Sequence, residues 1–323
     1  YKILVYNSKY GHSHSNFLGM IADTLAEAGH NVTSLIPIMD HSVKDGTEKS
    51  NQIIYVEPDE DIRKGYEDKA KNPMSFFTMG LLNPIFPFFM GPFLGQSLYR
   101  NCKKTIQEPG LLERLREEKY DVYISENFDV CGIGLSDAIK PKSVIGTSAS
   151  ALFSWQFNEF GVERALSYRP AAFSSHLDVH SFLSRLRNIY GEWMSLTAFY
   201  FSRRYVNKAL KESFGPEYPT IEEQSSNVAY VFTNSEPLLD FAAPTSPRVV
   251  DIPGIGAKSP KPLDEYWEGV LTRRSKTVLL SFGSLAKSFT LPEEMKMGII
   301  RTIARFPDIT FIWKYEQPED DFC

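Results

Sequence analysis

A strand, a polar loop, a helix and a second strand follow one another within the first 36 residues. No other feature constrains the fold as strongly. Tyr1–Tyr6 is a short apolar run, the pattern of a strand covered on both faces. Asn7 to Ser15 is polar. Phe17, Leu18, Ile21, Ala22, Leu25 and Ala28 then recur at helical spacing, and Gly29 stands where a helix would be capped. Val32–Ile36 resumes the apolar run. This order opens a doubly wound, Rossmann-like α/β sheet.

The alternation continues along the chain. Strands are predicted at Ile53–Val56, Asp121–Ser125, Ser143–Thr147 and Val228–Thr233. Helices are predicted at Leu111–Glu118 and Gly132–Ile139 and through most of 153–215. Pro244, Pro247, Pro253, Pro260 and Pro262 then crowd into a stretch that reads as a linker. After it, Thr277–Ser281, Glu293–Phe306 and Thr310–Lys314 read as strand, helix and strand, and begin a second βαβ unit. A chain of 323 residues exceeds what one core usually holds. The expected domains are 1–243, a linker at 244–275, and the start of a second Rossmann-like domain at 276–323.

Charge and motifs narrow the function. Net charge is -5 with no basic stripe, which argues against nucleic acid as a partner. GxGxxG and GxxxxGK[ST] are both absent, which argues against a nicotinamide site and a P-loop. Cys102, Cys131 and Cys323 have no metal-type spacing and allow one disulfide or none. No metal and no cofactor are expected. Met74 to Leu98 carries no charge, but Pro84, Pro87 and Pro92 argue against one continuous spanning helix. Broken helices lining a pocket are the leading reading, ahead of a surface dipping into a membrane and, last, a span. The opening directly on a strand is expected of a chain whose signal segment was removed or whose ends were trimmed.

In open α/β sheets ligands bind beyond the carboxyl ends of the strands. The loop after the first strand, Ser8 to Asn16, carries His12 and His14 in a glycine- and serine-rich turn. Imidazole titrates near neutrality and suits removal of a hydroxyl proton. The loop Glu126-Asn127-Phe128-Asp129 offers an acid to orient such a histidine, or an N-cap for the next helix. Asp129 and Glu126 are the rival acids. Ser281-Phe282-Gly283-Ser284 follows a later strand, and its small residues would let phosphate approach the backbone.

Taken in order, KILVYNSKYGHSHSNFLGMIADTLAEAGHNVT, YDVYISENFDVCG, VAYVFTNSEPLLDFAAPTSPRVVDIPGIG and SKTVLLSFGS resemble the animal UDP-glucuronosyltransferase family over nearly the whole chain. The resemblance implies a GT-B fold with an acceptor-binding N-terminal domain and a C-terminal domain that binds a UDP-sugar, UDP-glucuronic acid or UDP-glucose. It implies inverting transfer to a hydroxyl of a small lipophilic acceptor. His14 would be the general base, with His12 an extra candidate. Asp129 would orient the base, and Gly283 and Ser284 would contact the diphosphate. The family's tryptophan–proline–glutamine and histidine–glycine–glycine motifs are absent from this sequence, so the donor domain is expected to be incomplete. A truncated, non-catalytic binding partner is the alternative. An endoplasmic-reticulum, membrane-associated location follows from the same resemblance, and a homo-oligomer is compatible with it. Asn31-Val32-Thr33 is a glycan acceptor triplet in keeping with that compartment.

Overall fold

A computed structural model describes residues 1–71, 75–78, 80, 83–172, 174, 178–255, 257 and 260–320. The chain divides into two compact units. The first comprises Tyr1–Lys64 and Leu81–Gly256, the second Gly65–Gly80 and Ala257–Cys323.

The first unit is built in the order β1 (Lys2–Tyr6), α1 (His12–Glu27), β2 (Asn31–Pro37), β3 (Gln52–Val56), α2 (Glu60–Lys71, whose last turns group with the second unit), α3 (Phe86–Gln107) and α4 (Leu111–Glu117). It continues through β4 (Val122–Glu126), α5 (Cys131–Gly134), α6 (Ser136–Ile139), β5 (Ser143–Ser148), α7 (Ser154–Phe157), α8 (Phe182–Phe214), α9 (Ile221–Ser226), β6 (Tyr230–Thr233) and β7 (Val249–Asp251). Among the described residues the seven strands pair in the order β3-β2-β1-β4-β5-β6-β7, every neighbour parallel. The core explains why the opening pattern reads so clearly. Ile3 and Val5 of β1, Phe17, Leu18, Ile21 and Ala22 of α1, Val32 of β2 and Ile124 of β4 form one buried cluster. The apolar stripe of α1 therefore lies on strands that are apolar because the sheet covers them.

Two features depart from the sequence reading. Val249–Asp251, inside the expected linker, pairs with Val231–Thr233 as the seventh strand. The first unit thus runs past residue 243, because three residues with ladder partners suffice for an edge strand even in proline-rich surroundings. The second is α3. The apolar prolines of Phe86–Gln107 sit in one helix instead of separate pieces. Pro87 occupies the first turn, where no backbone N–H is needed, and Pro92 forfeits a single bond within the helix. The helix is held by close packing on α8: a Cβ at Gly95 would meet the Tyr205 ring at 2.7 Å and one at Gly91 the Ala198 carbonyl oxygen at 2.8 Å. Residues 74, 79, 81 and 82 of the uncharged stretch lie outside the described residues, as does Cys323. Among the described residues no helix is long and apolar enough to cross a membrane.

A disulfide joins Cys102 of α3 to Cys131 at the start of α5, which ties α3 to the loop that follows β4.

The second unit contains α10 (Glu265–Leu271), β8 (Lys276–Leu280), α11 (Glu293–Ile303) and β9 (Ile309–Trp313). β8 and β9 pair in parallel from Lys276↔Ile309 to Leu280↔Trp313, as the alternation after the linker predicts.

Candidate active site

Strand order fixes where the site falls. The chain steps outward from β1 to β2 and β3, then returns to place β4 on the other side of β1. A crevice opens where the order reverses, beyond the carboxyl ends of β1 and β4. β1 delivers the loop leading into α1, and β4 ends on Glu126.

His14 lies in the first turn of α1. Its Nδ1 is 2.5 Å from Oε1 of Glu126. The Tyr10 hydroxyl is 2.8 Å from the same nitrogen and donates to Oε2 of Glu126 at 2.5 Å. The Ala149 backbone N–H also donates to Oε1 of Glu126, at 3.3 Å. Glu126 is thus a buried carboxylate, 2% exposed, held by three donors, two from the segment after β1 and one from the loop after β5. With Nδ1–H donating to Glu126, the lone pair of the ring sits on Nε2, which has no hydrogen-bond partner among the described residues. Burial disfavours the imidazolium, but the charge of Glu126 and its hydrogen bond outweigh burial and raise the His14 pKa above the ordinary value. His12 is exposed and contacts no carboxylate among the described residues.

The first turns of α1 are clamped from behind. Nδ2 of Asn7 donates to the Ser15 and Asp45 carbonyls at 3.2 and 2.8 Å. Gly46 has φ +78° and packs so closely that a Cβ there would lie 2.0 Å from the Ser15 carbonyl oxygen. His14 therefore projects from a helix start with little freedom to shift.

An aromatic wall leads away from His14. Phe128 stacks on Tyr10 at 5.5 Å and tilts against His14 at 5.2 Å. Phe199 of α8 meets Phe128 edge-on at 5.7 Å and stacks on Trp155 at 4.6 Å, with Phe153 at 6.2 Å. The buried Arg203 guanidinium lies 4.7 Å from the centre of the Trp155 ring and pairs with Glu159. Phe153 also borders a cleft of about 300 Å³ lined by Leu152, Arg164, Arg169, Ala171, Asp240 and neighbouring residues. An apolar wall and a few polar groups beside a general base suit an apolar molecule that carries one reactive hydroxyl.

The expected pairing of Asp129 with His14 is not formed. Asp129 is 1% exposed, and its oxygens accept from the Cys131 N–H at 3.2 Å, the Tyr6 hydroxyl at 3.4 Å and Asn101 at 3.5 Å. Burial, the largest cause, and the nearby charge of Glu126 push its pKa up to about 6 against these hydrogen bonds. The reason is positional. Glu126 is the last residue of β4 and points into the crevice, whereas Asp129 lies past the turn and accepts from the N–H of Cys131, the first residue of α5. Tyr10, Phe128 and Phe199 were not singled out from the sequence. The one local signal was Tyr10, four residues before His14.

In the second unit, Gly283 and Ser284 form an exposed turn after β8. Nζ of Lys314 donates to the Gly283 carbonyl at 2.7 Å. The next α-helix begins only at Glu293, so Ser284 does not stand at a helix N-terminus. Among the described residues no cluster of three or more His, Cys, Asp or Glu side chains could hold a metal ion.

The doubly wound parallel sheet, followed by the start of a second βαβ unit, is the fold of the GT-B glycosyltransferases. Two solved structures align over nearly the whole chain: the glycosyltransferase SnogD from Streptomyces nogalater (TM-score 0.52, 13% identity, 99% of this chain and 69% of that one) and the glycotransferase of kitacinnamycin (TM-score 0.50, 13% identity, 98% and 66%). At such identities the likeness is one of fold. The family model described as UDP-glucoronosyl and UDP-glucosyl transferase matches residues 1–322, and the chain belongs to that family. Similar proteins include the Caenorhabditis elegans "Putative UDP-glucuronosyltransferase ugt-55" (28% identity, 99% of this chain, 62% of that protein) and "Putative UDP-glucuronosyltransferase ugt-47" (26%, 97% and 58%). Rat UDP-glucuronosyltransferase 1A8 is 26% identical over 94% of this chain and 56% of its own length. The chain thus spans about three fifths of the length of the curated relatives it matches.

Proposed function

We propose that this chain carries the acceptor half of an inverting glycosyltransferase, which moves a sugar from a UDP-sugar to a hydroxyl of a small lipophilic molecule. The observation that carries the reading is the His14–Glu126 pair, 2.5 Å apart at the switch point of the sheet, with Nε2 of His14 unengaged among the described residues. In this reading the acceptor hydroxyl docks on Nε2 and its apolar body lies along Phe128, Phe199 and Trp155. As the acceptor oxygen attacks the anomeric carbon, its proton passes to Nε2 and the bond to UDP breaks. Glu126 stabilises the imidazolium that results, as the carboxylate of a catalytic triad does. One displacement inverts the anomeric centre, and no covalent enzyme intermediate forms. The sugar is glucuronic acid, in keeping with the names of the relatives, with glucose the second choice that the family description allows. In the second unit, the exposed Gly283–Ser284 turn is the diphosphate contact.

The same reading puts the protein at the membrane of the endoplasmic reticulum, facing the lumen. The Cys102–Cys131 disulfide supports an oxidising compartment, and Asn31 of the glycan acceptor triplet is exposed.

The test is transfer from radiolabelled UDP-glucuronic acid and UDP-glucose to a panel of phenols and alcohols, using the protein that contains this chain. Product with inverted configuration, lost in His14→Ala, is expected. Absence of transfer from either sugar, or transfer indifferent to His14→Ala, overturns the reading.

A further inference from the structure

Residues 182–202 of α8 are built inside out. Apart from Met194, the face they bury is small and polar, comprising Asn188, Gly191, Glu192, Ser195, Ala198 and Ser202. That face constructs the cleft described above. The Asn188 amide accepts from the Ala171 N–H at 2.7 Å and donates to the Leu166 and Arg169 carbonyls at 2.8 and 2.9 Å. Glu192 accepts from the Ser154 hydroxyl and lies 3.7 Å from Arg164. The outward face carries the large apolar residues instead. Phe182, Leu186, Ile189, Trp193 and Tyr200 recur at spacings of three, four and seven, and each is between 47% and 70% exposed. An ordinary surface helix turns such a stripe toward the core. Here it runs about 27 Å along the outside, at 1.5 Å per residue. Phe88, Phe89 and Phe93 of α3 are exposed too. The Phe201 ring links the two helices, 5.9 Å from both Phe88 and Tyr200.

Charge decides what covers this face. α8 holds six cations and two carboxylates in a chain whose net charge is -5. One carboxylate, Glu192, is buried, and the other, Glu212, lies at the far end, paired with Lys103. Arg185, Arg187 and Arg204 are exposed and form no ion pair among the described residues. A second copy docked through the stripe would bring α8 against α8, and its residues 182–204 hold no exposed carboxylate to face Arg185 and Arg204, which flank the stripe. An anionic lipid headgroup layer meets both requirements, acyl chains for the stripe and phosphate for the arginines. Tryptophan and tyrosine on the stripe are the residues that favour that depth.

We propose that the outer face of α8 lies in the plane of an anionic bilayer surface, as an interfacial helix that does not cross it. The proposal rests on the membrane association in the reading above and names the surface that carries it. One face of the helix would then touch the lipid phase, where lipophilic acceptors concentrate, while the other shapes the cleft.

The test uses vesicles of phosphatidylcholine and anionic phosphatidylserine, whose surface potential is negative, prepared with and without brominated acyl chains. Tryptophan fluorescence of the protein containing this chain should be quenched by bromine, and the quenching should fall by at least half in Trp193→Phe. Leu186→Glu with Ile189→Glu, both at exposed positions, should weaken vesicle binding about tenfold or more. Transfer to a water-soluble acceptor without lipid should be unchanged, so failure of the docking reading is separable from failure of the enzymatic one. Equal quenching in wild type and Trp193→Phe overturns the proposal. So does a dimer in analytical ultracentrifugation that the same double substitution dissociates, which would assign the face to a second copy.

Discussion

Nδ1 of His14 and Oε1 of Glu126 lie 2.5 Å apart, although 112 residues separate them in sequence. The sheet makes this meeting: β1 and β4 are adjacent and parallel, so the loops that leave their carboxyl ends emerge side by side. A base on one loop and its orienting acid on the next is the economical way to assemble proton-transfer chemistry on such a sheet.

His14, and not His12, is expected to be the base. His14→Ala should lower turnover by about 10²–10⁴, the usual contribution of a general base. His12→Ala should leave turnover within about threefold, because His12 is exposed and touches no carboxylate among the described residues. Steady-state kinetics on both variants decide it, and a larger loss in His12→Ala reverses the assignment.

Glu126→Gln should lower turnover by about 10² or more and also move the pH profile. The base acts when neutral, so the acidic limb of the profile reports its pKa. Burial lowers that pKa, and Glu126 more than restores it, leaving it raised. Removing the charge leaves burial unopposed. The limb should therefore move to lower pH even as the maximal rate falls, whereas a limb that stays in place would assign it to another group.

Much of this site was legible in the sequence, and the rest depended on geometry. The strand–loop–helix opening located His14, because period and position are local properties. The choice between Glu126 and Asp129 was not local. It depended on β4 ending at residue 126, which sets one acid facing the crevice and leaves the other buried against the Cys131 N–H. Of the aromatic wall, the run Phe153–Phe160 was legible as an aromatic-rich stretch suited to an apolar pocket, whereas Phe128 and Phe199 were not, because they meet only in the folded chain. β7 was hidden because a three-residue edge strand carries too little pattern to stand out among prolines.

Asp129 should make its own mark on stability. Its folded pKa is raised to about 6, above the ordinary value of 3.8. The folded state therefore binds the extra proton between these values. The stabilisation from the protonated form is fully present below about pH 4 and is lost as pH rises through about 6. Two pKa units correspond to about 3 kcal/mol. Asp129→Asn cannot ionise, so its stability relative to wild type should rise from pH 4 to pH 7. Chemical denaturation at a series of pH values measures this difference, and a pH-independent one contradicts the assignment. Turnover in Asp129→Asn should fall far less than in Glu126→Gln.

Gly46→Ala tests the clamp behind His14. A φ of +78° is unfavourable for alanine, and the added Cβ would meet the Ser15 carbonyl oxygen at 2.0 Å. The loop or the first turn of α1 must move. A loss of about 2 kcal/mol or more is expected, with turnover falling as His14 is displaced from its partner. A variant as stable and active as wild type would show that the loop does not hold the helix start.

The Cys102–Cys131 disulfide offers the last test, because it bears on both compartment and site. The two residues are 29 apart in sequence, and closing a loop of that size restricts the unfolded chain by about 3–4 kcal/mol. Replacing both cysteines by serine should lower stability by an amount of that order. The bond also fastens α3 to the loop after β4, which carries Phe128 and follows Glu126. Loss of the bond should therefore raise the KM of the acceptor more than it lowers the maximal rate, since the aromatic wall loosens while the His14–Glu126 pair keeps its other donors. Mass spectrometry of protein digested without reductant should recover a linked peptide pair containing Cys102 and Cys131. Two free thiols in protein isolated from its native compartment would remove both the stabilisation and the support for an oxidising location.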